Sequence, residues 1–281
     1  MTNATTPPRR SAPRTPEEPL NGRTALVTGG SSGIGAAIAQ ELAALGAHVA
    51  VVARRTDLLD ATVSRIRQAG GRALAVAADL TTPTGPQDAV AQVRDLLGPV
   101  DILVCAAGAV RLGGVDEVSD RHWNLMFTLN LDAPFRMARA VLPDMRHAGY
   151  GWIVAIGSAA GADIVPGSGA YGISKAALNR LVELIDEENR ACGVRAVAVC
   201  PGWVRTALAQ DPAEAGIPED EVLSPQDVAQ TVSWLVTRPS RLRLDRIVRC
   251  EPTSPRADAT AAMVAALASS GRGRAEEGTP R

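Results

Sequence analysis

A chain of 281 residues is long enough for one large α/β domain and too short for two with linkers. Its 29 basic and 30 acidic residues nearly cancel to a formal charge of -1, so no global field draws it to nucleic acid or anionic lipid, and any affinity for phosphate must be local. The four cysteines at 105, 192, 200 and 250 lack CxxC spacing, and His48, His122 and His147 are scattered, so the cysteines read as reduced core residues and no metal site is expected.

Residues 1–21 hold Pro, Thr and Arg without an apolar run and read as a disordered leader, neither a secretory signal nor an anchor. From Arg23 short β-branched runs alternate with longer helical stretches: TALVT, Gly33 to Leu45, HVAVVA, Thr56 to Ala69, then RALAVAA. The rhythm continues through DILVCA, a helical region around 119–147, WIVAIGS, a helix over about 169–191, VRAVAVC, a helix from near Pro225, and DRIVRC as the seventh strand. Strands this evenly apolar are covered by helices on both faces. The expected fold is therefore α/β, a doubly wound, parallel, seven-stranded Rossmann-type sheet in a single domain over 22–253. Residues 206–224 read as a mobile loop able to cover a ligand, and 254–281 as a largely disordered tail with one Ala-rich stretch. No segment is long and apolar enough to span a bilayer, and the expectation is a cytoplasmic protein.

Directly after the first strand stands Thr28-Gly29-Gly30-Ser31-Ser32-Gly33-Ile34-Gly35, leading into an apolar-periodic helix. Glycines let the backbone turn tightly and approach a pyrophosphate, whose charge the amides and dipole at a helix start stabilise. About twenty residues on, where an NAD enzyme presents a carboxylate to the ribose, the second strand ends in Arg54-Arg55. Arg54 is placed either to bind a 2'-phosphate, with Arg55 stacking on adenine or adding to the field, or both are solvated residues at a strand end. Asp79, after the third strand, either contacts the adenine amino group or caps the turn before Pro83.

Tyr171-Gly172-Ile173-Ser174-Lys175 opens a helical pattern, which puts phenol and ammonium on one face. Lys175 is the only lysine in a chain otherwise filled with arginine. A phenol exchanges protons near neutrality only if its ionised form is stabilised, by roughly 4 kcal/mol for three pH units, and a fixed cation nearby supplies such stabilisation.

With the glycine loop at residues 28–35 and the Tyr171/Lys175 pair, the sequence resembles the short-chain dehydrogenase/reductase family from about Gly22 to Pro252. The resemblance implies an NADP(H)-dependent oxidoreductase moving a hydride between nicotinamide and a carbonyl or alcohol, most simply reducing a ketone or aldehyde. It implies that Ser158 donates a hydrogen bond to the substrate oxygen, that Tyr171 exchanges the proton, that Lys175 binds the nicotinamide ribose and lowers the tyrosine pKa, and that Asn130 holds a water leading to solvent. It assigns Gly29, Ser31, Ser32, Gly33, Ile34, Gly35, Arg54, Arg55, Asp79, Leu80, Ala107, Gly108, Pro201, Gly202, Val204 and Thr206 to the cofactor, beside Tyr171 and Lys175. Trp203, the loop after Thr206 and Ala160 to Val165 are expected to line an at least partly apolar substrate pocket, although Trp203 also suits a core role. Where the family often carries Asn-Asn-Ala-Gly this chain reads Cys105-Ala106-Ala107-Gly108, which predicts a central strand lacking those bracing amides. A homotetramer or homodimer is implied, with no nucleic-acid or membrane partner; the alternative is a catalytically silent dinucleotide-binding regulator on the same fold.

Overall fold

The computed structural model describes residues 18–206, 222–239, 242 and 244–252. Its elements in chain order are β1 (Thr24–Thr28), α1 (Gly33–Ala44), β2 (His48–Ala53), α2 (Thr56–Gln68), β3 (Arg72–Ala77), α3 (Gly85–Leu97), β4 (Ile102–Cys105) and α4 (Asp120–Phe127). A π turn over Thr128–Asp132 joins α4 to α5 (Ala133–Ala148), followed by β5 (Gly151–Ile156), the single turn α6 (Ala159–Ala162), α7 (Gly169–Asn189), β6 (Val194–Pro201), α8 (Pro225–Val236) and β7 (Ile247–Cys250). The seven strands form one sheet in the order β3-β2-β1-β4-β5-β6-β7, with every pairing parallel.

The period-two alternation of a strand divides the core. Val27, Val49, Val51, Val104 and Val154 face α1, α2 and α8, whereas Leu26, Ala50, Val52, Leu103 and Ile153 face α3, α5 and α7. Three layers result, a Rossmann-type arrangement. The chain runs outward from β1 to β3, then returns to place β4 on the other side of β1, so the crevice beyond the C-terminal ends of β1 and β4 is the topological switch point at which such sheets bind ligands.

Several boundaries differ from the sequence expectation. Residues 18–21 belong to the domain: Leu20 is buried, and its amide donates to the Leu45 carbonyl at 2.9 Å, because one apolar side chain at the foot of β1 has a core to enter. The rest of the expected leader, residues 1–17, lies outside the described residues, as do 207–221 of the expected loop, residue 253 and the whole expected tail, 254–281. Helix α3 was not anticipated, although Pro86 at its first turn and buried Ala89, Val90 and Val93 mark a start and a face. Cys105 and Cys200 are buried as expected, but Cys192 is exposed, in the turn that ends α7. Among the described residues no helix is long and apolar enough to cross a membrane, and no cluster of metal-ligating side chains is present.

Candidate active site

Gly29 and Gly33 take φ of 67° and 55°, the left-handed region that glycine enters without strain. A Cβ at Gly29 would lie 2.9 Å from the Ala107 amide nitrogen, and one at Gly35 would lie 2.5 Å from the Gly29 carbonyl oxygen. The loop is therefore folded against the start of its own helix and against the segment after β4, leaving room only for glycine. Ser32 caps α1 from extended backbone and makes no side-chain cap bond, so its hydroxyl does not satisfy the first-turn amides. This is a cradle at a helix start, the kind of place that attracts an anion. Thr206 stands over it: a Cβ at Gly33 would meet the Thr206 methyl at 3.2 Å. Ser31 is buried, Ile34 packs against the core, and Pro201 ends β6, with the Gly202 amide donating to the Cys250 carbonyl at 2.9 Å. Val204 is buried and bridges to Leu223, so both ends of the 206–224 segment are tied beside the crevice. Trp203 is half-buried, and its indole nitrogen is buried without a partner among the described residues.

Arg54 and Arg55 are exposed at the end of β2, in reach of an anion outside the sheet. Asp79 Oδ1 accepts from the Thr81 amide at 2.9 Å and the Thr81 hydroxyl at 2.7 Å. Those bonds, the hydroxyl first, hold its carboxyl below the ordinary range, with Arg54 adding a weaker pull. Of the two roles open for Asp79, the geometry displays the turn cap; Leu80 beside it is buried.

The segment after β4 is braced in spite of its missing amides. Thr28 Oγ1 accepts from both the Ala106 and Ala107 amides at 3.0 Å. Asn130, fully buried in the π turn, grips Ala109 from both sides: its Oδ1 accepts from the Ala109 amide at 2.8 Å and its Nδ2 donates to the Ala109 carbonyl at 2.9 Å. Nδ2 also donates to Ser174 Oγ at 3.0 Å, which in turn donates to the Tyr171 carbonyl at 2.8 Å. The Asn130 side chain thus holds the β4 loop to the helix bearing Tyr171. A π turn lets one side chain reach both, because the extra residue per turn widens the helix and re-aims it.

Gly108 lies where these parts converge, since a Cβ there would be 3.2 Å from Asn130 Oδ1 and 3.5 Å from Lys175 Nζ. Lys175 is buried; its ammonium donates to the Ile156 carbonyl at 2.7 Å and lies 5.9 Å from the Tyr171 ring centroid. Burial lowers its pKa from 10.5 to about 8, against the smaller opposing influence of the Cys200 and Cys105 thiols. Ser158, at the end of β5, accepts from the Ala160 amide at 3.2 Å, and its hydroxyl stands beside the Tyr171 phenol. The phenol itself departs from expectation. Burial pushes its pKa up, and the Ser158 hydrogen bond only partly offsets this. An ammonium tied to a carbonyl and itself desolvated does not outweigh the loss of solvent around the phenolate.

The structure also brings in residues that sequence reasoning passed over. Leu112, from the loop after β4, and Tyr171 both pack against the buried pair Ala160 and Val165, which makes an apolar wall beside the tyrosine. Nothing local in the sequence marks Leu112, whereas Thr28 and Ser174 stood inside the two motifs with no role assigned.

A family model described as short chain dehydrogenase matches residues 23–215. A short chain dehydrogenase of Pseudocercospora fijiensis is 39% identical over 213 residues, covering 75% of this chain and 67% of that protein. The oxidoreductase UcpA of Salmonella typhimurium is 36% identical over 203 residues, 72% of this chain and 76% of its own length. Among solved structures, a metagenomic short-chain oxidoreductase in complex with NADP superposes with a TM-score of 0.72 at 35% identity, covering 84% of this chain and all of that one.

Proposed function

The chain belongs to the short-chain dehydrogenase/reductase family, and we propose that it works with NADP(H) on a carbonyl or alcohol substrate, reducing a ketone or aldehyde. The observation behind this reading is the convergence of Ser158, the Tyr171 phenol and the Lys175 ammonium, 5.9 Å from the ring, beside the glycine cradle at the switch point. Gly29 to Gly35 hold the diphosphate, Arg54 and Arg55 read the 2'-phosphate, Asp79 and Leu80 border the adenine, and Ala107, Gly108, Pro201, Gly202, Val204 and Thr206 border the nicotinamide half. The bound nicotinamide supplies a hydride to the carbonyl carbon.

The residues of the chain handle the proton. Ser158 donates a hydrogen bond to the substrate oxygen, and Tyr171 gives that oxygen its proton as charge develops on it. A phenol whose pKa is raised by burial keeps its proton at neutral pH, and an alkoxide is far more basic than a phenolate, so the transfer runs downhill in the reductive direction. Lys175 sets the ribose and supplies a positive charge when the phenolate forms. Asn130 and Ser174 keep the loop at Gly108 and the backbone of Tyr171 in register while this happens. The wall of Leu112, Ala160 and Val165 favours a substrate apolar on that side. Exposed Trp123, Phe135, Ile173 and Leu184 on α4, α5 and α7 supply apolar area for the proposed homo-oligomer.

The test is oxidation of NADPH with a panel of aldehydes and ketones, and its reversal with alcohols. Tyr171→Phe is expected to lower turnover by at least about 10²-fold, the usual contribution of a general acid, while NADPH binding persists. Absence of turnover in both directions with the whole panel refutes the reading.

A further inference from the structure

We propose that Asn179 and Cys200 are positioning residues for Ser158, closing a ring of hydrogen bonds and packing contacts that sets its hydroxyl against the Tyr171 phenol; the proposal rests on the role assigned to Ser158 above. Ser158 comes from the sheet and Tyr171 from α7, so some contact between those elements must fix their separation. The ring supplies it. The Cys200 sulfur packs against the backbone at Gly157 and faces the Ser158 amide. Cys200 Sγ donates to Asn179 Oδ1 at 3.5 Å, Asn179 Nδ2 donates to the Gly161 carbonyl at 3.1 Å, and the Gly161 amide returns to the Ser158 carbonyl at 2.9 Å. The Ser158 amide thereby faces the Cys200 thiol and its carbonyl accepts from the Gly161 amide, and Asn179, a helical turn beyond Lys175, joins those two partners.

Two glycines make the arrangement possible. A Cβ at Gly157 would lie 2.5 Å from Cys200 Sγ and 2.9 Å from Asn179 Oδ1, and one at Gly161 would lie 2.6 Å from Lys175 Cβ. The residues flanking Ser158 are thus pressed directly onto the thiol, the amide and the catalytic helix. Asn179 and Cys200 are 7% and 0% exposed. An amide buried so far from water is costly unless its bonds do something that a leucine of equal size would not.

The experiment uses the full-length protein with Tyr150→Phe as parent, because the chain has only two tyrosines and Tyr171 then titrates alone in the ultraviolet. Ser158→Ala removes the hydrogen bond that draws the Tyr171 pKa down, and its titration midpoint should rise. Asn179→Leu and Asn179→Ala should raise it the same way, with no further rise when either is combined with Ser158→Ala. In turnover, Asn179→Leu and Cys200→Ala should lower kcat about ten- to a hundredfold, the range for a misplacement of about an ångström, with KM for NADPH unchanged and no added loss in the Ser158→Ala background. Cys200→Ser, which restores a donor, should recover most of the Cys200→Ala loss. If Ser158→Ala moves the phenol while neither Asn179 variant does, or if the losses add to that of Ser158→Ala, the proposal is overturned. The titration needs no substrate: a parent inactive on every carbonyl defeats the enzymatic reading, and the phenol still decides the positioning role.

Discussion

Replacing Lys175 with methionine tests whether the site is bought at the expense of the fold. The fold binds the ammonium proton with a pKa of about 8 where the unfolded chain has 10.5, chiefly because burial strips its water. Between those values the unfolded state holds more protons, so stability should rise with pH across pH 8 to 10.5 and be insensitive to this group below pH 8. A displacement of roughly 2.5 pH units corresponds to about 3 kcal/mol. Methionine keeps most of the buried stem and removes the charge, but abandons the 2.7 Å bond to the Ile156 carbonyl. An acceptor deprived of its partner costs about 1–3 kcal/mol, so Lys175→Met should be equal to wild type or up to about 2 kcal/mol more stable at pH 7, with turnover lost. Urea unfolding of both proteins in steps from pH 7 to 10.5 reads the difference, and no other lysine in the chain contributes to it. The wild type should gain on the variant by about 3 kcal/mol over the upper part of that range. Parallel stability curves would show that burial does not depress Lys175.

Arg54→Asp should weaken NADPH by about 10- to 100-fold, the equivalent of one lost charge-assisted bond, and shift preference toward NADH; an unchanged ratio of kcat/KM for the two cofactors places the 2'-phosphate elsewhere. Gly35→Ala drives a Cβ to 2.5 Å from the Gly29 carbonyl, a backbone atom that cannot swing aside, and should destabilise by about 1–3 kcal/mol while weakening NADPH binding. Denaturation midpoints and cofactor titration check it; unaltered values would mean that the loop is not packed on the helix start.

Most of the fold could be read from the chain because parallel strands buried on both faces and amphipathic helices each leave a local period, as in TALVT and in Thr56 to Gln68. Helix α3 escaped that reading although its pattern is regular, since Pro86 and Gly85 resemble loop punctuation until the buried face behind them is counted. In the site, the cradle glycines and the Tyr171/Lys175 pair are spaced within single elements and so were visible. The brace on the β4 loop was not: Thr28 and Asn130 replace the missing amides from 78 and 21 residues away, a substitution that only the packed chain displays.

Taken alone, the sequence determined the parallel three-layer plan, the glycine turn at its first crossover, and a phenol one turn from the sole ammonium, since each is written in spacings of a few residues. Tertiary structure decided that Ser158 stands beside that phenol, that Asn130 ties the β4 loop to the phenol's helix through Ser174, and that burial raises the phenol's pKa where a neighbouring cation was expected to lower it. The reason is the range of the forces involved: backbone periodicity is local, whereas desolvation depends on everything that folds around a group.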